Sequence, residues 1–349
     1  MKPLVSILIP AYNAERWLPE TLNSAISQTW ERKEIIVVDD GSKDGTLGLA
    51  RSFESDILRV FTQNNQGAAA TRNAALAYSR GDYIQWLDAD DLLAPDKIAR
   101  QLEALGDAPS PRTLISGEWG SFMHRPSRAK FVSSGLWSNL SKAEWLMRKM
   151  EQNVYMQTAS WLESRELAEA AGPWDTRLLG DDDGEYFCRV LLASDGVRFV
   201  PGAKVYYRQA TSGSLSYVGA SDRKRDAQWV SMELHMNYLR TLEDSERARA
   251  ACVKFMQNWM VAFYPDRLDI FERARELARE LGGQIEPPLL SWKYSWIRAL
   301  FGWRLARRVE LRLQSLKWSA VSSWDELLSR ITLGTSPGIN HTAGHTWHS

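Results

Sequence analysis

The chain has 349 residues, 44% of them hydrophobic and 25% charged, which is typical of a globular protein of one large domain or two smaller ones. Its 43 Lys and Arg residues balance 43 Asp and Glu residues, so the composition argues against nucleic acid as a partner. Two cysteines are too few for a disulfide framework and favour a reducing compartment, the cytoplasm. No apolar run approaches the roughly 20 residues that span a bilayer, and we expect no signal peptide.

The first hundred residues alternate between strand and helix patterns. Strands are predicted in LVSILIPAYN, KEIIVVDDGS, LRVFTQN and DYIQWLDADD. Helices are predicted in AERWLPETLNSAISQTW, DGTLGLARSFE, GAAATRNAALAYSRG and PDKIARQLEAL. Strands separated by helices predict a mostly parallel sheet with right-handed crossovers.

From Leu114 to Arg208 the pattern is mixed. LISGEWGSF and VYMQTASWLES resemble strands, RELAEAAG and DGEYFCRVLLASDG resemble helices, and VRFVPGAKVYYR resembles a pair of strands. From Asp222 onward the pattern is mainly helical. The last residues, from 334 to 349, have no periodicity, and we expect them to be disordered.

Polar residues follow three of the predicted strands: Tyr12 with Asn13, Asp39 with Asp40, and the acids of the stretch 88–91. Ligands of parallel sheets lie beyond the carboxyl ends of the strands. Three carboxylates within four residues repel one another, so a cation or water must offset their charge. Helix capping or turn formation could explain any one of these groups, but it is a poor explanation of all three.

Four segments, in this order and spacing, resemble the family 2 glycosyltransferases of the GT-A fold: VSILIPAYNAERWLPETLNSAISQTW, EIIVVDDGSKDGT, GAAATRNAAL and GDYIQWLDADD. A weaker similarity continues through AAGPWDTRLLGDDDGEYFCRVLLA to about Ser216. The resemblance implies an α/β fold with a Rossmann-like mixed sheet. We therefore divide the chain into a GT-A domain at 1–220, a helical C-terminal region at 221–333 and the tail. Within the GT-A domain, residues 1–110 would bind the nucleotide sugar and residues 111–220 the acceptor.

The family's Asp-x-Asp motif matches Asp88, Ala89 and Asp90. By that match Asp90 would bind Mn²⁺ or Mg²⁺ directly, and Asp88 would face the nucleotide ribose or act on the metal through water. Such an ion can bind both phosphates of a sugar nucleotide and absorb the charge that grows as the glycosidic bond breaks. One or two carboxylates suffice, because these ions keep several waters. Asp91 is either a second ligand or a cap of the helix near Pro95.

The resemblance also implies a nucleotide site across the first two strand ends. Pro10, Ala11 and Tyr12 match the loop that packs on the base and ribose. Asp40 matches the position that accepts a hydrogen bond from the base, and the N–H of uracil suits a carboxylate acceptor. Arg72 matches a basic residue near the base and phosphates; the alternative is an arginine on the surface of a helix.

The second acidic group is GDDDGEYF. The acceptor hydroxyl needs a base, and the family supplies it from Glu-Asp just before a helix. Alignment backward from Arg189 makes Asp183 the base and Asp182 the second choice. Asp here replaces Glu and a third acid, Asp181, precedes the pair, so the register could slip by one. The acids could instead lie at a helix N-terminus because negative charge there interacts favourably with the helix dipole. The nearby Trp174 could stack on a sugar or lie in the core.

These features predict an inverting, metal-dependent glycosyltransferase that serves polysaccharide biosynthesis at the cell envelope. It would move a sugar from a nucleoside diphosphate donor to a hydroxyl of a glycan or lipid-linked acceptor. UDP is the favoured nucleotide, although GDP and dTDP donors share the motifs. One alternative is an inactive sugar-nucleotide-binding protein with the same fold. Another is a nucleotidyltransferase, but IPAYNAERW lacks the Gly-rich, basic loop that such an enzyme needs.

The stretch 291–318 combines aromatic and basic residues. Trp292, Trp296, Leu300 and Trp303 recur at helical spacing, and seven Lys and Arg residues against one Glu give a local net charge of +6. This pattern suits a helix lying on an anionic membrane, which would place a cytoplasmic protein at the inner face of the plasma membrane. The alternative is that the apolar stripe packs on the catalytic domain with the arginines solvated.

Overall fold

The computed structural model describes residues 2–106, 110–209 and 221–334, with side chains up to residue 331. From residue 335 on, the predicted tail lies outside the described residues. The strands are β1 (Val5–Ala11), β2 (Lys33–Asp39), β3 (Leu58–Thr62), β4 (Tyr83–Trp86), β5 (Leu92–Leu93), β6 (Thr113–Phe122), β7 (Lys130–Phe131), β8 (Glu163–Ser164) and β9 (Gly196–Arg208). The α-helices are α1 (Leu18–Ile26), α2 (Thr46–Ser52), α3 (Ala68–Tyr78), α4 (Lys97–Glu103), α5 (Lys142–Gln152), α6 (Arg165–Ala171), α7 (Asp182–Ala193), α8 (Asp222–Leu242), α9 (Glu246–Phe263), α10 (Leu268–Glu280) and α11 (Ser295–Gly334).

The first sheet has the order β3-β2-β1-β4-β8, with β1 to β4 parallel and β8 antiparallel to β4. All four predicted parallel strands are confirmed. Strands β1 and β2 are buried along almost their whole length, as expected when helices cover both faces of a parallel sheet. The chain runs outward from β1 to β3 on one side and returns to β4 on the other. This reversal places the switch point of the sheet between β1 and β4.

The second sheet has the order β5-β9-β6-β7 and corrects one prediction. VRFVPGAKVYYR is not a pair of strands but the single strand β9, parallel to β6. Pro201 and Gly202 lie at a bulge, where the register against β6 shifts between Gly117 and Glu118. Gly117 permits the close approach, because a Cβ there would collide with the carbonyl oxygen of Ala203.

VYMQTASWLES was also predicted wrongly as a strand. Glu163 and Ser164 form a short strand at the end of that stretch, Leu162 makes an isolated bridge to Ile115, and Thr158–Ser160 form a short 3-10 helix. The side chain of Gln157 accepts a hydrogen bond from the backbone N–H of Ala159, and this local contact favours the helical turn over an extended chain.

The C-terminal region is helical, as predicted. Ser221 and Ser245 precede α8 and α9, and their side chains accept hydrogen bonds from backbone N–H groups of the first turns. Trp229 and Phe263 of these helices belong to the same apolar cluster as Trp86 of the first sheet. Because the core continues across the 220/221 boundary, the division into a GT-A domain and a separate region remains a prediction.

Candidate active site

The carboxyl ends of β1, β2 and β4 meet at one edge of the first sheet, because these strands are parallel neighbours. In the register, Ala11 is the partner of Asp39, and Leu8 is the partner of Trp86. The loops that follow the three strands therefore begin side by side. They carry the residues predicted to bind a nucleotide and a metal.

Asp91 stabilises the loop after β4 through hydrogen bonds. Its carboxyl group is fully buried and accepts hydrogen bonds from the Gln157 amide and, at 2.8 Å, from the backbone N–H of Arg208. Burial and the neighbouring acids raise the pKa of Asp91 well above its usual range. The helix-cap interpretation of Asp91 is wrong, because α4 begins at Lys97 and has Asp96 at its N-cap position. Both carboxyl oxygens are instead used to hold the loop.

Asp88 and Asp90 are the carboxylates that this loop offers to a ligand. The Asp88 side chain is 30% exposed, and Asp90 is partly buried. Burial and the charge of Asp88 raise the pKa of Asp90 to about 6. Among the described residues no three His, Cys, Asp or Glu side chains converge as a metal site. Two oxygen-donor side chains nevertheless fit an ion such as Mn²⁺ or Mg²⁺ that takes its other ligands from phosphate and water.

Arg72 joins the two acidic groups. Its Nη2 donates to Asp88 Oδ1 at 2.9 Å and its Nη1 to Asp182 Oδ2 at 2.7 Å, while the guanidinium lies 4.5 Å from the ring centroid of Trp174. The interpretation of Arg72 as a surface arginine is wrong, because the residue is only 7% exposed. The surrounding carboxylates raise its pKa despite burial. Its Nε is buried and has no partner among the described residues, so one donor remains for a ligand.

The three acids at the start of α7 point in different directions. Asp181 adopts a left-handed conformation with φ 54° and accepts a hydrogen bond from Ser231 of α8 at 2.7 Å. Asp182 is held by the guanidinium described above, and burial raises its pKa to about 6 against the opposing effect of that cation. Asp183 accepts a hydrogen bond from the Thr158 hydroxyl at 2.9 Å. The acids thus occupy a helix N-terminus, and Asp182 also meets Asp88 of the loop after β4 through the shared Arg72 guanidinium.

On the nucleotide side, the structure separates the roles of Asp39 and Asp40. Asp40 accepts hydrogen bonds from the backbone N–H groups of Gln66 and Gly67, at 2.9 and 2.8 Å, and so holds the loop before α3. Asp39 accepts one from Thr62 on Oδ2 at 3.1 Å. Its Oδ1 is buried without a partner in the described part of the chain. An unsatisfied buried acceptor calls for a donor, and the sequence alone had pointed to Asp40.

The remaining predicted residues are placed as follows. Pro10 and Ala11 end β1, and Tyr12 extends beyond it with 47% of its surface exposed. Trp174 is a core residue and not a sugar platform, because it is 1% exposed and stacks on Tyr186 at 4.1 Å between ring centroids.

Arg208 is a site residue that the sequence reasoning missed. It is 2% exposed, its Nε donates to the Asp90 carbonyl oxygen at 2.8 Å, and it forms an ion pair with Glu20 at 2.7 Å. Its guanidinium also lies 4.2 Å from the ring centroid of Trp17. The sequence signal that could have identified it is a single arginine at the end of the apolar run VYYR. Gln157 and Thr158 were missed because their segment was predicted to be a strand.

A family model of glycosyl transferase family 2 matches residues 6–162. Over this segment the chain is similar to that family. TuaG of Bacillus subtilis, whose name assigns it to teichuronic acid biosynthesis, is 41% identical over 105 residues, which are 29% of this chain and 42% of that protein. The matched segments span between 17% and 42% of the length of curated relatives.

Solved structures show the same fold at low sequence identity. TarS 1-349 of S. aureus, in complex with UDP-GlcNAc, has a TM-score of 0.62 at 17% identity over 80% of this chain and 81% of that one. The mannosyltransferase PcManGT of Pyrobaculum calidifontis, in complex with GDP-Man and Mn²⁺, has a TM-score of 0.52 at 19% identity over 93% of this chain and 88% of that one. The fold is therefore the predicted GT-A fold.

Proposed function

We propose that this chain is an inverting, metal-dependent glycosyltransferase that moves a sugar from a nucleoside diphosphate to a hydroxyl group of a glycan or lipid-linked acceptor. The observation that carries the proposal is the Arg72 bridge. It brings the acids after β4 and the acids at the start of α7 into one cleft, although they are far apart in sequence. Donor activation and acceptor deprotonation need two such groups facing the same bond.

The donor is a sugar nucleotide, and a UDP-sugar is the favoured candidate. TarS was solved with UDP-GlcNAc and PcManGT with GDP-Man, which supports a sugar nucleotide as the donor. In this chain Tyr12 and Pro10 would contact the base and ribose. Asp39 would accept the base N–H on its unpartnered Oδ1, while Asp40 shapes the adjacent loop and Arg72 offers its Nε to the phosphates.

Asp90, assisted by Asp88, would hold Mn²⁺ or Mg²⁺. The bound ion would neutralise charge that develops on the departing diphosphate. The two carboxylates lie in a rigid loop, since Asp91 and Arg208 fix its backbone. A rigid loop keeps the ligands in position without reorganisation when the donor binds.

Asp183 would take the proton of the acceptor hydroxyl. Asp182 is the poorer base because a guanidinium already holds its Oδ2. The partner of Asp183 is the neutral hydroxyl of Thr158, and its Oδ1 receives no hydrogen bond from the described residues. With the base on the face opposite the leaving diphosphate, the acceptor oxygen would attack the anomeric carbon as it loses its proton and as the bond to the diphosphate breaks, with inversion and through a transition state with oxocarbenium character.

An aromatic group beside Asp183 would bind the acceptor ring. Tyr155 is 49% exposed and lies 5.0 Å from Trp119 between ring centroids, and Tyr207 meets Trp119 edge-on at 6.0 Å. The pKa of the Tyr155 hydroxyl is raised by burial and by Asp183, so the two groups share one environment. Exposed aromatic faces suit the apolar face of a pyranose.

The test is a panel of UDP-, GDP- and dTDP-sugars with Mn²⁺, in which release of the nucleoside diphosphate is measured. We expect release with at least one donor, and loss of release in EDTA and in Asp90→Ala, by about 10²-fold or more. Asp56→Ala, which removes an exposed acid from the same half of the chain, should leave the rate unchanged.

Three outcomes would contradict the proposal. Full activity in EDTA would exclude the metal. Release of pyrophosphate instead of a nucleoside diphosphate would indicate a nucleotidyltransferase. Tight binding of UDP by calorimetry, without release from any donor, would indicate a sugar-nucleotide-binding protein.

A further inference from the structure

Helix α11 exposes a continuous apolar stripe. Its members recur every three or four residues, and six of them are large side chains with exposures from 42% for Leu305 to 66% for Leu316. The stripe consists of Leu305, Val309, Leu313, Leu316, Ala320, Trp324, Leu327 and Ile331. At about 100° per residue these positions fall on one side of the helix. A soluble monomer rarely leaves such a row uncovered.

The opposite side of α11 is anchored to the GT-A part of the chain. Ser322 lies 3.1 Å from His124 Nε2, Asp325 accepts a hydrogen bond from Arg125 at 2.7 Å, and Glu326 pairs with an arginine of the loop after β1. Trp324 is two residues from Ser322 and from Glu326, and Leu327 is two residues from Asp325, so both point roughly away from those anchors. The contacts therefore fix the stripe facing outward.

The sequence had predicted an amphipathic stretch at 291–318. Trp292, Trp296 and Leu300 are 79%, 59% and 70% exposed, so the alternative that they pack on the rest of the chain is wrong for these three. Trp303, the fourth member, is half-buried and meets Tyr264 edge-on at 5.3 Å between ring centroids. Gly302 interrupts the helix with φ 81°, and the exposed stripe continues beyond 318 to Ile331. In the described ranges no helix is long and apolar enough to cross a membrane.

Basic residues border the stripe. Arg308 and Arg312 lie along one edge and Lys317 along the other, and none of the three forms an ion pair with a described acid. Two copies of α11 facing each other through the stripe would bring these like charges together, which is unfavourable. An anionic surface would meet the same charges with attraction.

We propose that the α11 stripe binds the headgroup region of an anionic lipid bilayer, with the helix lying in the plane of the surface. The exposed tryptophans suit this depth, because indole rings collect at membrane interfaces. From Gly302 to its end the helix is about 48 Å long at 1.5 Å per residue, which gives a long line of contact. The surface would bind lipid whether or not the site turns over a sugar nucleotide.

The experiment is sedimentation of the full chain with vesicles of phosphatidylcholine, alone or mixed with phosphatidylglycerol. We expect binding to the mixed vesicles at low salt, weaker binding at high salt and little binding to phosphatidylcholine alone. The double variant Leu316→Glu with Leu327→Glu should lower binding by about 10-fold or more, since it replaces two apolar side chains of the stripe with charges that an anionic surface repels.

The matched control is Gln314→Glu with Val321→Glu, which adds the same charge at exposed positions of α11 outside the stripe. It should retain most of the binding. Circular dichroism and thermal melting verify that both variants fold. Failure of the native chain to bind anionic vesicles, or equal losses in the two variants, would overturn the proposal. Sedimentation velocity that shows a stripe-dependent dimer without vesicle binding would assign the surface to a second copy.

Discussion

At the scale of single residues, the pairing of Asp182 with Arg72 determines which acid of α7 is available for chemistry. The ion pair at 2.7 Å is almost closed to solvent, with 8% of the Arg72 side chain and 15% of the Asp182 side chain exposed. A carboxylate held in this way positions the arginine and has its Oδ2 already engaged. Asp183, one residue further, instead accepts a hydrogen bond from the neutral hydroxyl of Thr158. In the proposed mechanism, one step along the helix therefore separates a positioning residue from the base.

Asp183→Asn keeps the size of the side chain and removes the proton acceptor. We expect glycosyl transfer to fall by about 10²-fold or more, the usual contribution of a general base. UDP binding should persist, because Asp183 is the proposed acceptor base and is hydrogen-bonded to Thr158 rather than to Arg72. Transfer rates and UDP calorimetry on the purified variant measure the two quantities separately.

Asp182→Asn is the control for this assignment. It should weaken donor binding, since loss of the ion pair frees Arg72 to move, while it leaves a transfer rate at saturating donor that exceeds that of the Asp183 variant. If Asp182→Asn is instead the inactive variant with normal UDP affinity, the base is Asp182 and the register is shifted by one residue.

At the scale of elements, the second half of α11 is held by few contacts. Asp325 accepts hydrogen bonds from the Arg125 side chain at 2.7 Å and from the backbone N–H of His124 at 3.0 Å. These bonds lower the pKa of Asp325 despite its partial burial. Between this anchor and Glu310 the side chains are mostly exposed, so the helix depends on the anchor for its direction.

Asp325→Asn should loosen α11 from the rest of the chain. Asn retains one acceptor oxygen but loses the charge, and the loss of a charge-assisted hydrogen bond costs about 1–2 kcal/mol. Hydrogen exchange measured by mass spectrometry should quicken across residues 311–334 and remain unchanged in the first sheet.

Asp56→Asn, at an exposed position far along the chain from α11, is the matched control and should leave exchange in α11 unaltered. Equal exchange in the native chain and Asp325→Asn would show that other contacts hold the helix.

At the scale of the whole molecule, Glu163 links three parts of the core. It is fully buried on β8 and accepts hydrogen bonds from Trp86 of β4 at 2.7 Å and from the Tyr186 hydroxyl of α7 at 2.9 Å. Burial raises its pKa from the ordinary 4.5 to about 7, against the effect of those hydrogen bonds. The folded protein therefore favours the neutral acid, while the unfolded chain ionises near pH 4.5.

The sign of the pH dependence follows from this difference. The contribution of neutral Glu163 to the free energy of unfolding is complete below about pH 4.5. It is lost as the pH rises through about 7, because the folded state must then bury a charge. Glu163→Gln stays neutral throughout. It should therefore gain stability relative to the native chain between pH 5 and pH 8, by an amount on the order of 2 kcal/mol.

Thermal or urea unfolding of both proteins across that pH range measures the effect. Glu166→Gln, three residues away and exposed, should follow the native chain at every pH. A Glu163→Gln variant whose stability follows the native profile at every pH would show that Glu163 is already ionised in the folded state.

Several features were determined by the sequence itself, because they depend on local pattern. The period of apolar residues predicted β1 to β4 and the helices between them, and the order of the acidic segments indicated the GT-A fold. Parallel strands must end at one edge, so the polar residues after β1, β2 and β4 had to be neighbours. The amphipathic face of α11 was also readable, since helical spacing alone places its residues on one side.

Other features were decided only by the tertiary structure, because they depend on contacts between distant segments. No local pattern shows that Arg72 bridges Asp88 and Asp182, or that Arg208 braces the Asp90 loop. Burial likewise depends on what packs against a side chain, and it placed Trp174 in the core and the α11 stripe in solvent. Charge and spacing indicate which residues are able to act, and three-dimensional packing determines which of them meet.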